Sequence, residues 1–394
     1  MNINEPITLL GNISPAEFMR DYWQKKPLLI RQAFPNFKPP ISIKDLHQLG
    51  KKDEVESRLV WREKGQWNME QGPFESYPPA KEPDWTLLVQ SVDIHHEKIS
   101  DLIQHFRFIP DARFDDVMIS CATQGGGVGP HFDTYDVFLL QGQGKRRWRI
   151  STQTDKELIP GLPCRILKNF QVEQEWVLEP GDMLYLPPHC AHDGIAETND
   201  CMTISFGFRT ITSANLARGM LEAAADQISS YAGMGYGTYS EPPLPKRIAN
   251  FRGDYHDKRQ KATQTPAQLP ELMINKAVEL AQKITFDHHL AARFIGIQMS
   301  EPNQLALFMP SINLNFDLEA ILETGFVLKL NKASKMLYYG DEIYFNGECF
   351  ISKSPAIRKL ADERSIPIIE FKDADKHTLS LLTDWLDAGW MDMA

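Results

Sequence analysis

Residues 129–150 read GPHFDTYDVFLLQGQGKRRWRI and follow the glycine-rich run GGGV of residues 125–128. A glycine loop that binds phosphate leads from a strand into a helix, whose N-terminal amides contact the anion. Here the residues after Pro130 have the composition of a strand, and the run contains neither GKS or GKT nor a clean GxGxxG. The pattern argues against a phosphate site, and we expect the glycines to form a flexible lip before a strand.

A possible metal site begins at His131 and Asp133. Side chains alternate between the two faces of an extended chain, so these two residues are expected to point the same way from one strand. An imidazole and a carboxylate supply two of the three ligands of a 2-His-1-carboxylate triad. The motif alone is weak, because about one His-x-Asp is expected by chance in a chain of 394 residues.

A turn and a strand follow at residues 142–150, GQGKRRWRI. Alternation puts Arg146 on the same face as Trp148 and Ile150, which predicts that Arg146 points inward. A buried arginine needs an anion beside it. The other cations of this strand alternate to a face that we expect to be solvated: Lys145, Arg147 and Arg149.

Residues 179–194, EPGDMLYLPPHCAHDG, predict a turn, a strand, a rigid proline corner and the start of the next strand. A metal site at the mouth of a barrel requires a second histidine on such a later strand. His189 and His192 both stand at this place, and the pattern by itself leaves both open as the third ligand.

The chain divides by pattern into three parts. Residues 118–209 hold short strand-like runs between glycine and proline turns, which predicts an antiparallel sandwich or barrel. Several segments after residue 210 have the apolar spacing of helices: 213–225, 272–284 and 288–298. Near the C-terminus, strands around an Asn346-Gly347 turn precede helices that start near Ser354-Pro355 and Thr378, a pattern typical of a winged helix. We predict an α+β chain with domains at 1–210, 211–304 and 305–394.

The charge of the last part argues against nucleic-acid binding. Residues 305–394 carry nine Lys and Arg against fourteen Asp and Glu, a net charge of −5. A domain of this size that binds duplex DNA is expected to be basic. We therefore expect a structural or protein-docking module, with no direct contact to nucleic acid.

Bulk composition indicates a cytoplasmic protein. The N-terminus shows no signal peptide, and no window approaches the roughly 18 apolar residues that a membrane span needs. The five cysteines are scattered and odd in number and form no CxxC, which favours a reducing cytosol over disulfides or a cysteine zinc site. The formal net charge of −10 is suited to a basic partner.

The two motifs at residues 129–150 and 179–194 together resemble the JmjC-type oxygenases, which are double-stranded β-helix (cupin) enzymes that depend on Fe(II) and 2-oxoglutarate. More narrowly the chain is similar to the ribosomal oxygenase branch and to its bacterial arginine 3-hydroxylase type, which acts on a large-subunit ribosomal protein. Three further segments carry the same resemblance: YWQKKPLLIR at 22–31, SRLV at 57–60 and GPFESY at 72–77.

The resemblance implies a JmjC barrel, a helical dimerisation region and a C-terminal winged-helix-like domain. It implies that His131, Asp133 and His192 bind Fe(II), because AHDG at 191–194 matches the position of the family's ligand; His189 is then a rim residue. The residues implied to bind 2-oxoglutarate are Arg146, through its distal carboxylate, and Ser120 and Thr203. Thr203 stands where the family is expected to have an asparagine, which leaves its role open.

The implied activity is hydroxylation of an arginyl residue in a large-subunit ribosomal protein by a homodimer, with 2-oxoglutarate and O2 as co-substrates. Tyr135, which shares a face with His131 and Asp133, is a candidate for substrate specificity; Asp136 on the other face is a weaker one. The alternatives within the family are a histidyl hydroxylase and a lysyl demethylase. Outside it stand a zinc or manganese cupin, which has no need of an inward Arg146, and a non-catalytic binding protein that acts through its tail.

Overall fold

The computed structural model describes residues 2–244, 251, 253–256, 258–310, 318, 322 and 325–394. The chain forms two compact units. The first, called here the N-terminal unit, comprises Met1–Thr210 together with Asn303–Ala306; the second, the C-terminal unit, comprises Ile211–Pro302 and Leu307–Ala394. The predicted division after residues 210 and 304 into three domains stays a prediction.

The N-terminal unit is built mainly of strands. Its helices and strands, in chain order, are α1 Pro15–Asp21, β1 Leu28–Ile30, α2 Ile43–Leu49, β2 Ser57–Glu63, β3 Gln66–Gln71, β4 Trp85–Val89, α3 Val92–His95, α4 Glu97–Leu102, β5 Phe114–Ala122, β6 His131–Phe132, β7 Asp136–Gln143, β8 Arg146–Ser151, β9 Gln174–Leu178, β10 Met183–Leu186, β11 Ala191–Ala196 and β12 Cys201–Phe208. Short 3-10 helices lie at Thr8–Leu10, Ile103–Phe106 and Asp111–Arg113.

These strands form two antiparallel sheets. One has eight strands in the order β1-β10-β7-β12-β5-β4-β2-β3, and the other has four in the order β6-β11-β8-β9. The order is far from the order in sequence, as expected of a double-stranded β-helix whose chain passes repeatedly between two sheets. The predicted antiparallel barrel is confirmed.

The period of two along each strand separates two apolar layers. In β7, Phe138 belongs to a large cluster that also contains Phe18 of α1, whereas Leu139 belongs to a second cluster with Trp148 of β8 and Leu184 of β10. The second cluster combines residues from both sheets, so it fills the barrel interior. The first packs the helices against the outer face of the large sheet.

The chain turns a corner between the metal-ligand candidates and the strand that follows them. β6 ends at Phe132 in the small sheet, and β7 begins at Asp136 in the large one. The expectation that His131 and Asp133 lie on one strand is therefore wrong, because Asp133 lies in the corner where the chain crosses from one sheet to the other. Their proximity comes from this corner and not from strand alternation.

The glycines before β6 are packed and do not form a flexible lip, so that expectation is also wrong. The amide of Gly125 donates to Ala196 O at 2.8 Å, and the amide of Ala196 donates to Gly126 O at 2.9 Å. A Cβ at Gly126 would lie 2.3 Å from Trp85 O, and one at Gly127 would lie 2.5 Å from Gly194 O. Only glycine allows the backbone to approach its neighbours this closely.

The C-terminal unit combines helices with two small sheets. Its elements are α5 Ser213–Ala232, α6 Glu271–Ala281, α7 His288–Ser300, β13 Val327–Leu330, β14 Met336–Tyr339, β15 Glu342–Phe345, β16 Glu348–Ile351, α8 Pro355–Glu363, β17 Ser365–Pro367, α9 Lys376–Asp387 and β18 Met391–Met393, with a 3-10 helix at Ile368–Phe371. The sheets have the orders β17-β13-β18 and β14-β15-β16. Among the described residues, no helix is both long and apolar enough to cross a bilayer.

One buried ion pair links a helix of this unit to its sheet. The guanidinium of Arg293 in α7 pairs with Glu342 in β15, and Glu342 also accepts the Tyr344 hydroxyl at 2.6 Å. A buried charge needs such a partner, so the pair fixes the position of α7 on the sheet. The predicted Asn346-Gly347 turn and the helix that starts at Pro355 are both present.

Candidate active site

Two histidines face each other across neighbouring strands of the small sheet. His131 in β6 is the register partner of His192 in β11, and their ring centroids lie 4.2 Å apart. Asp133 follows directly after β6. Each of the three side chains offers one ligand atom, and these atoms lie within 4.8 Å of one another. This arrangement can bind a divalent metal ion through three ligands on one side of the ion, which leaves its other coordination positions open.

Hydrogen bonds to the backbone leave one nitrogen of each imidazole available. Nδ1 of His131 lies 2.8 Å from Gly129 O, and Nδ1 of His192 lies 2.9 Å from Cys190 O. Since a carbonyl can only accept, Nδ1 carries the proton in both rings and Nε2 keeps its lone pair. Such outer bonds fix the tautomer and the orientation that a metal ligand needs.

His192 is neutral at physiological pH. Burial and the neighbouring His131 lower the pKa of His192 below its usual range. The 3.6 Å separation between Nε2 of His192 and Oδ2 of Asp133 is therefore not an ion pair. It is the spacing of two donor atoms arranged around one point, and the neutral imidazole is the form that binds metal.

His189 does not belong to this group of ligand atoms. Its side chain is exposed, its φ is 65°, and its backbone amide donates to Asp133 O at 2.7 Å. Its carbonyl accepts the ammonium of Lys156 at 2.7 Å. His189 thus stabilises the corner that carries Asp133 through its backbone, in agreement with the rim position expected for it.

A cavity of about 500 Å³ surrounds the three ligand atoms. Strand alternation explains its lining, because every second residue of the barrel strands faces it. The lining residues include Thr86 and Leu88 of β4, Gln90 directly after it, Asp116, Met118 and Ser120 of β5, Val137 and Leu139 of β7, Arg146 and Trp148 of β8, and Thr203, Ser205 and Gly207 of β12.

Arg146 is the buried cation of this cavity, with 4% of its surface exposed. Its Nη1 donates to Gly194 O at 3.3 Å, and its guanidinium lies 5.8 Å from the Trp148 ring centroid. Within the described chain, Nε and Nη2 have no hydrogen-bond partner. A buried guanidinium with two unpaired nitrogens is suited to a carboxylate that enters the cavity.

The other cations of this segment, Lys145 directly before β8 and Arg147 and Arg149 within it, lie on the opposite face, as predicted. Lys145 pairs with Glu179 at 2.6 Å, while Arg147 and Arg149 pair with Glu175 at 2.5 and 2.8 Å. These pairs are partly exposed and contribute little to stability. Because these cations pair with carboxylates on the outer face, Arg146 is the cation of β8 that faces the cavity.

Ser120 and Thr203 are register partners on β5 and β12 and both line the cavity. The Thr203 hydroxyl donates to Oε1 of Gln141 at 3.3 Å. The side-chain Nε2 of Gln141 in turn donates to Gln143 O at 2.8 Å. Gln141 thereby orients Thr203, which keeps an acceptor lone pair for a ligand.

Tyr135 and Asp136 lie in different environments. Tyr135 lines the cavity with 36% of its surface exposed. Asp136 is fully buried outside the cavity lining, where it accepts the Tyr185 hydroxyl at 2.6 Å and Nε2 of Gln24 at 2.9 Å. Asp136 therefore stabilises the packing of the N-terminal segment, and Tyr135 is the one that can contact a substrate.

Asp116 is a cavity residue that the sequence patterns did not single out. Its Oδ2 accepts three hydrogen bonds, from the Ser91 amide, the Ser91 hydroxyl and Nε2 of Gln90. Burial raises the pKa of this carboxyl above its usual range. A signal was present, because alternation along β5 from Ser120 through Met118 leads to Asp116.

Two family matches divide the chain in the way the fold does. Residues 101–216 match the JmjC domain family, and residues 280–392 match the ROXA-like winged helix. The first range contains the His-Asp-His group and Arg146. The second covers α7 and the small sheets, which confirms the predicted winged helix.

Curated relatives match over nearly the whole chain. The ribosomal protein uL16 3-hydroxylase of Escherichia coli is 34% identical over 95% of this chain and 96% of its own length. A probable ribosomal oxygenase of Haemophilus influenzae is 32% identical over 96% of both chains.

A solved structure has the same fold. The structure of YcfD, a ribosomal oxygenase from Escherichia coli, in complex with cobalt and 2-oxoglutarate is 32% identical, covers 96% of this chain and 97% of its own, and superposes with a TM-score of 0.77. Identity of 34% over 95% of the chain, together with the JmjC and winged-helix matches, shows that the chain belongs to the ribosomal oxygenase family of JmjC-domain proteins.

Proposed function

We propose that this chain is a cytoplasmic Fe(II)- and 2-oxoglutarate-dependent hydroxylase of an arginyl residue in ribosomal protein uL16. The observation that carries the proposal is the pair of unpartnered nitrogens on buried Arg146, in the same cavity as the ligand atoms of His131, Asp133 and His192. A metal-only hydrolase or isomerase has no use for this cation. A 2-oxoglutarate oxygenase needs it for the second carboxylate of its co-substrate.

The residues present fit the metal and the co-substrate. His131, Asp133 and His192 would hold Fe(II) on one face and leave the opposite positions for ligands. When bound, Fe(II) supplies the oxidative decarboxylation of 2-oxoglutarate that is coupled to C–H hydroxylation. The chain itself keeps the imidazoles in the correct tautomer, orients the co-substrate through Arg146 with help from Ser120 and Thr203, and holds the substrate in the same cavity.

The substrate residue is inferred from the charge of the cavity. The Escherichia coli relative acts on uL16 by its name, and ribosomal proteins are basic partners for a chain of net charge −10. Oδ1 of Asp116 accepts no bond from the described residues, and the Tyr135 ring lines the same cavity. A carboxylate and an aromatic ring suit a planar guanidinium better than a neutral imidazole, which favours an arginyl over a histidyl target.

We also propose that the chain is a homodimer through its helical region. Along α6, all of whose residues are described, no side chain is buried. Four apolar side chains of this helix are between 42% and 51% exposed: Leu272, Met273, Ile274 and Val278. An apolar helix surface of this kind is typical of a subunit contact. The net charge of −5 over residues 305–394 supports protein contacts for the tail.

The metal assignment predicts opposite results for the two neighbouring histidines. His192→Ala should abolish metal binding at this site and 2-oxoglutarate turnover, because it removes one of three ligands. His189→Asn, which tolerates the positive φ, should keep both. Metal titration and succinate production measure the effects. Loss of metal binding in the His189 variant with retention in the His192 variant would reverse the assignment.

The co-substrate assignment predicts that Arg146→Ala raises KM for 2-oxoglutarate by at least about 30-fold. Loss of one partner of a buried charge pair costs about 2 kcal/mol or more, and about 1.4 kcal/mol is a factor of ten. Arg149→Ala is the matched control, since this residue of the same strand pairs with Glu175 in solvent. Steady-state kinetics at varied 2-oxoglutarate concentration measure KM. Equal KM values for the Arg146 and Arg149 variants would contradict the assignment.

The substrate assignment predicts that Asp116→Asn weakens binding of a uL16 peptide. Asp115→Asn should not, because the exposed side chain of Asp115 pairs with Arg209 at 2.8 Å. Since burial raises the pKa of Asp116, wild-type binding should weaken as the pH falls through that raised value, and the Asn variant should lose this dependence. Peptide affinity against pH measures both effects. Mass spectrometry should place one added oxygen on an arginyl residue, and oxygen on a histidyl residue would favour the rival target.

The dimer predicts that Ile274→Lys combined with Val278→Lys, one turn apart on α6, yields a monomer. Glu279→Ala is the control, because Glu279 lies on the polar surface and pairs with Lys276 at 3.0 Å. Light scattering after gel filtration gives the mass, and circular dichroism checks the helix content. A folded double-lysine variant that still elutes as a dimer contradicts the proposed surface.

A further inference from the structure

We propose that Asn303 and Ser91 are positioning residues that fix the carboxylate of Asp116 for the substrate guanidinium. This inference rests on the proposed function, and in particular on Asp116 as the anionic contact of the target side chain. It concerns a hydrogen-bond chain that lies outside the metal and co-substrate sites. All of its members belong to the N-terminal unit.

The donors to Asp116 all converge on one of its two oxygens. Oδ2 accepts Nε2 of Gln90 at 2.7 Å, the Ser91 amide at 2.9 Å and the Ser91 hydroxyl at 3.1 Å. Three donors on one oxygen fix the rotation of the carboxylate. The second oxygen is thereby left for a ligand, because no described residue donates to it.

The free oxygen lies against a part of the cavity wall that has no side chain. Gly207 of β12 lines the cavity, and a Cβ built on it would lie 3.5 Å from Oδ1 of Asp116. Any longer side chain at this position would cover the oxygen. The glycine therefore leaves Oδ1 open to a planar, two-pronged donor such as a guanidinium.

Ser91 has an unfavourable backbone conformation at a buried position. Its φ and ψ are 51° and 39°, in the left-handed region that is unfavourable for a residue with a Cβ, and it is only 5% exposed. It precedes α3 at the N-cap position, yet its side chain makes no capping bond. The conformation instead directs both its amide and its hydroxyl to the same carboxylate oxygen. Strain of this kind persists where surrounding contacts enforce it.

Asn303 completes the chain from the far side of Ser91. Its Nδ2 donates to Oγ of Ser91 at 2.9 Å, and its Oδ1 accepts the Leu305 amide at 2.8 Å. The second bond fixes the orientation of the amide, so its nitrogen faces Ser91. The Ser91 hydroxyl accepts this bond and must then direct its own proton to Asp116. The bonds run in one direction, from Asn303 through Ser91 to Asp116, and strengthen one another.

Gln90 is oriented in the same manner. Oε1 of Gln90 accepts a hydrogen bond from Nη2 of Arg58 at 3.3 Å. This bond fixes the side-chain amide so that Nε2 of Gln90 faces Asp116. Arg58 lines the cavity as well. Two separate segments of the N-terminal unit, β2 and the segment Asn303–Ala306, thus determine which oxygen of Asp116 is presented to the substrate.

The test is the affinity of a uL16 peptide that contains the target arginine, measured on the full chain with Fe(II) and 2-oxoglutarate in the absence of oxygen. Asn303→Ala should weaken peptide binding by about 3- to 10-fold, the effect of losing one hydrogen bond. The affinity for 2-oxoglutarate, which does not contact Asp116, should be unchanged. Gln304→Ala, an exposed neighbour, is the matched control.

A second variant separates positioning from general stability. Ser91→Gly keeps the amide and accommodates the positive φ, so it removes only the hydroxyl. If Asn303 acts through that hydroxyl, the double variant should bind the peptide as weakly as Ser91→Gly alone. Additive losses, or unchanged affinity in both single variants, would overturn the inference. Failure of the wild-type chain to bind the peptide would instead refute the proposed substrate, and the positioning role with it.

Discussion

The antiparallel pairing of β6 with β11 places His131 opposite His192, and the rest of the site depends on this contact. β6 has only two residues and lies at the edge of the small sheet, and the chain turns directly after it into the corner that carries Asp133. The buried glycines before it pack on the backbone of β11 and hold the pair in register. A metal site needs its donors fixed to within a fraction of an ångström, and two paired strands provide this better than a loop.

The barrel assigns separate tasks to the residues that alternate into one cavity. Arg146 on β8 offers a cation with unpaired nitrogens, while Asp116 on β5 offers an anion with a free oxygen. Each buried charge is costly unless a ligand or a partner compensates it. A dicarboxylate and a guanidinium are the ligands that would compensate these two, so Arg146 and Asp116 together are suited to a co-substrate and a substrate of opposite sign.

Local patterns in the sequence predicted much of this structure, and long-range contacts explain what they missed. Alternation at 146–150 predicted that Arg146 points inward, because burial within one strand depends on neighbours two residues away. The prediction of a flexible glycine lip was wrong, because Gly126 packs against the backbone of Trp85, which is distant in sequence. The choice between His189 and His192 needed the family resemblance. Alternation along β5 could have placed Asp116 on the cavity face, but its hydrogen-bond partners could not be predicted, because they come from residues 90, 91 and, through Ser91, 303.

A crystal structure of the chain grown without oxygen, with Fe(II) and 2-oxoglutarate, would test the assigned metal and co-substrate ligands. We expect a metal ion bound by Nε2 of His131, a carboxylate oxygen of Asp133 and Nε2 of His192. We also expect that the distal carboxylate of 2-oxoglutarate pairs with the guanidinium of Arg146. A metal ion bound through His189, or a co-substrate carboxylate paired with a cation other than Arg146, would contradict these assignments.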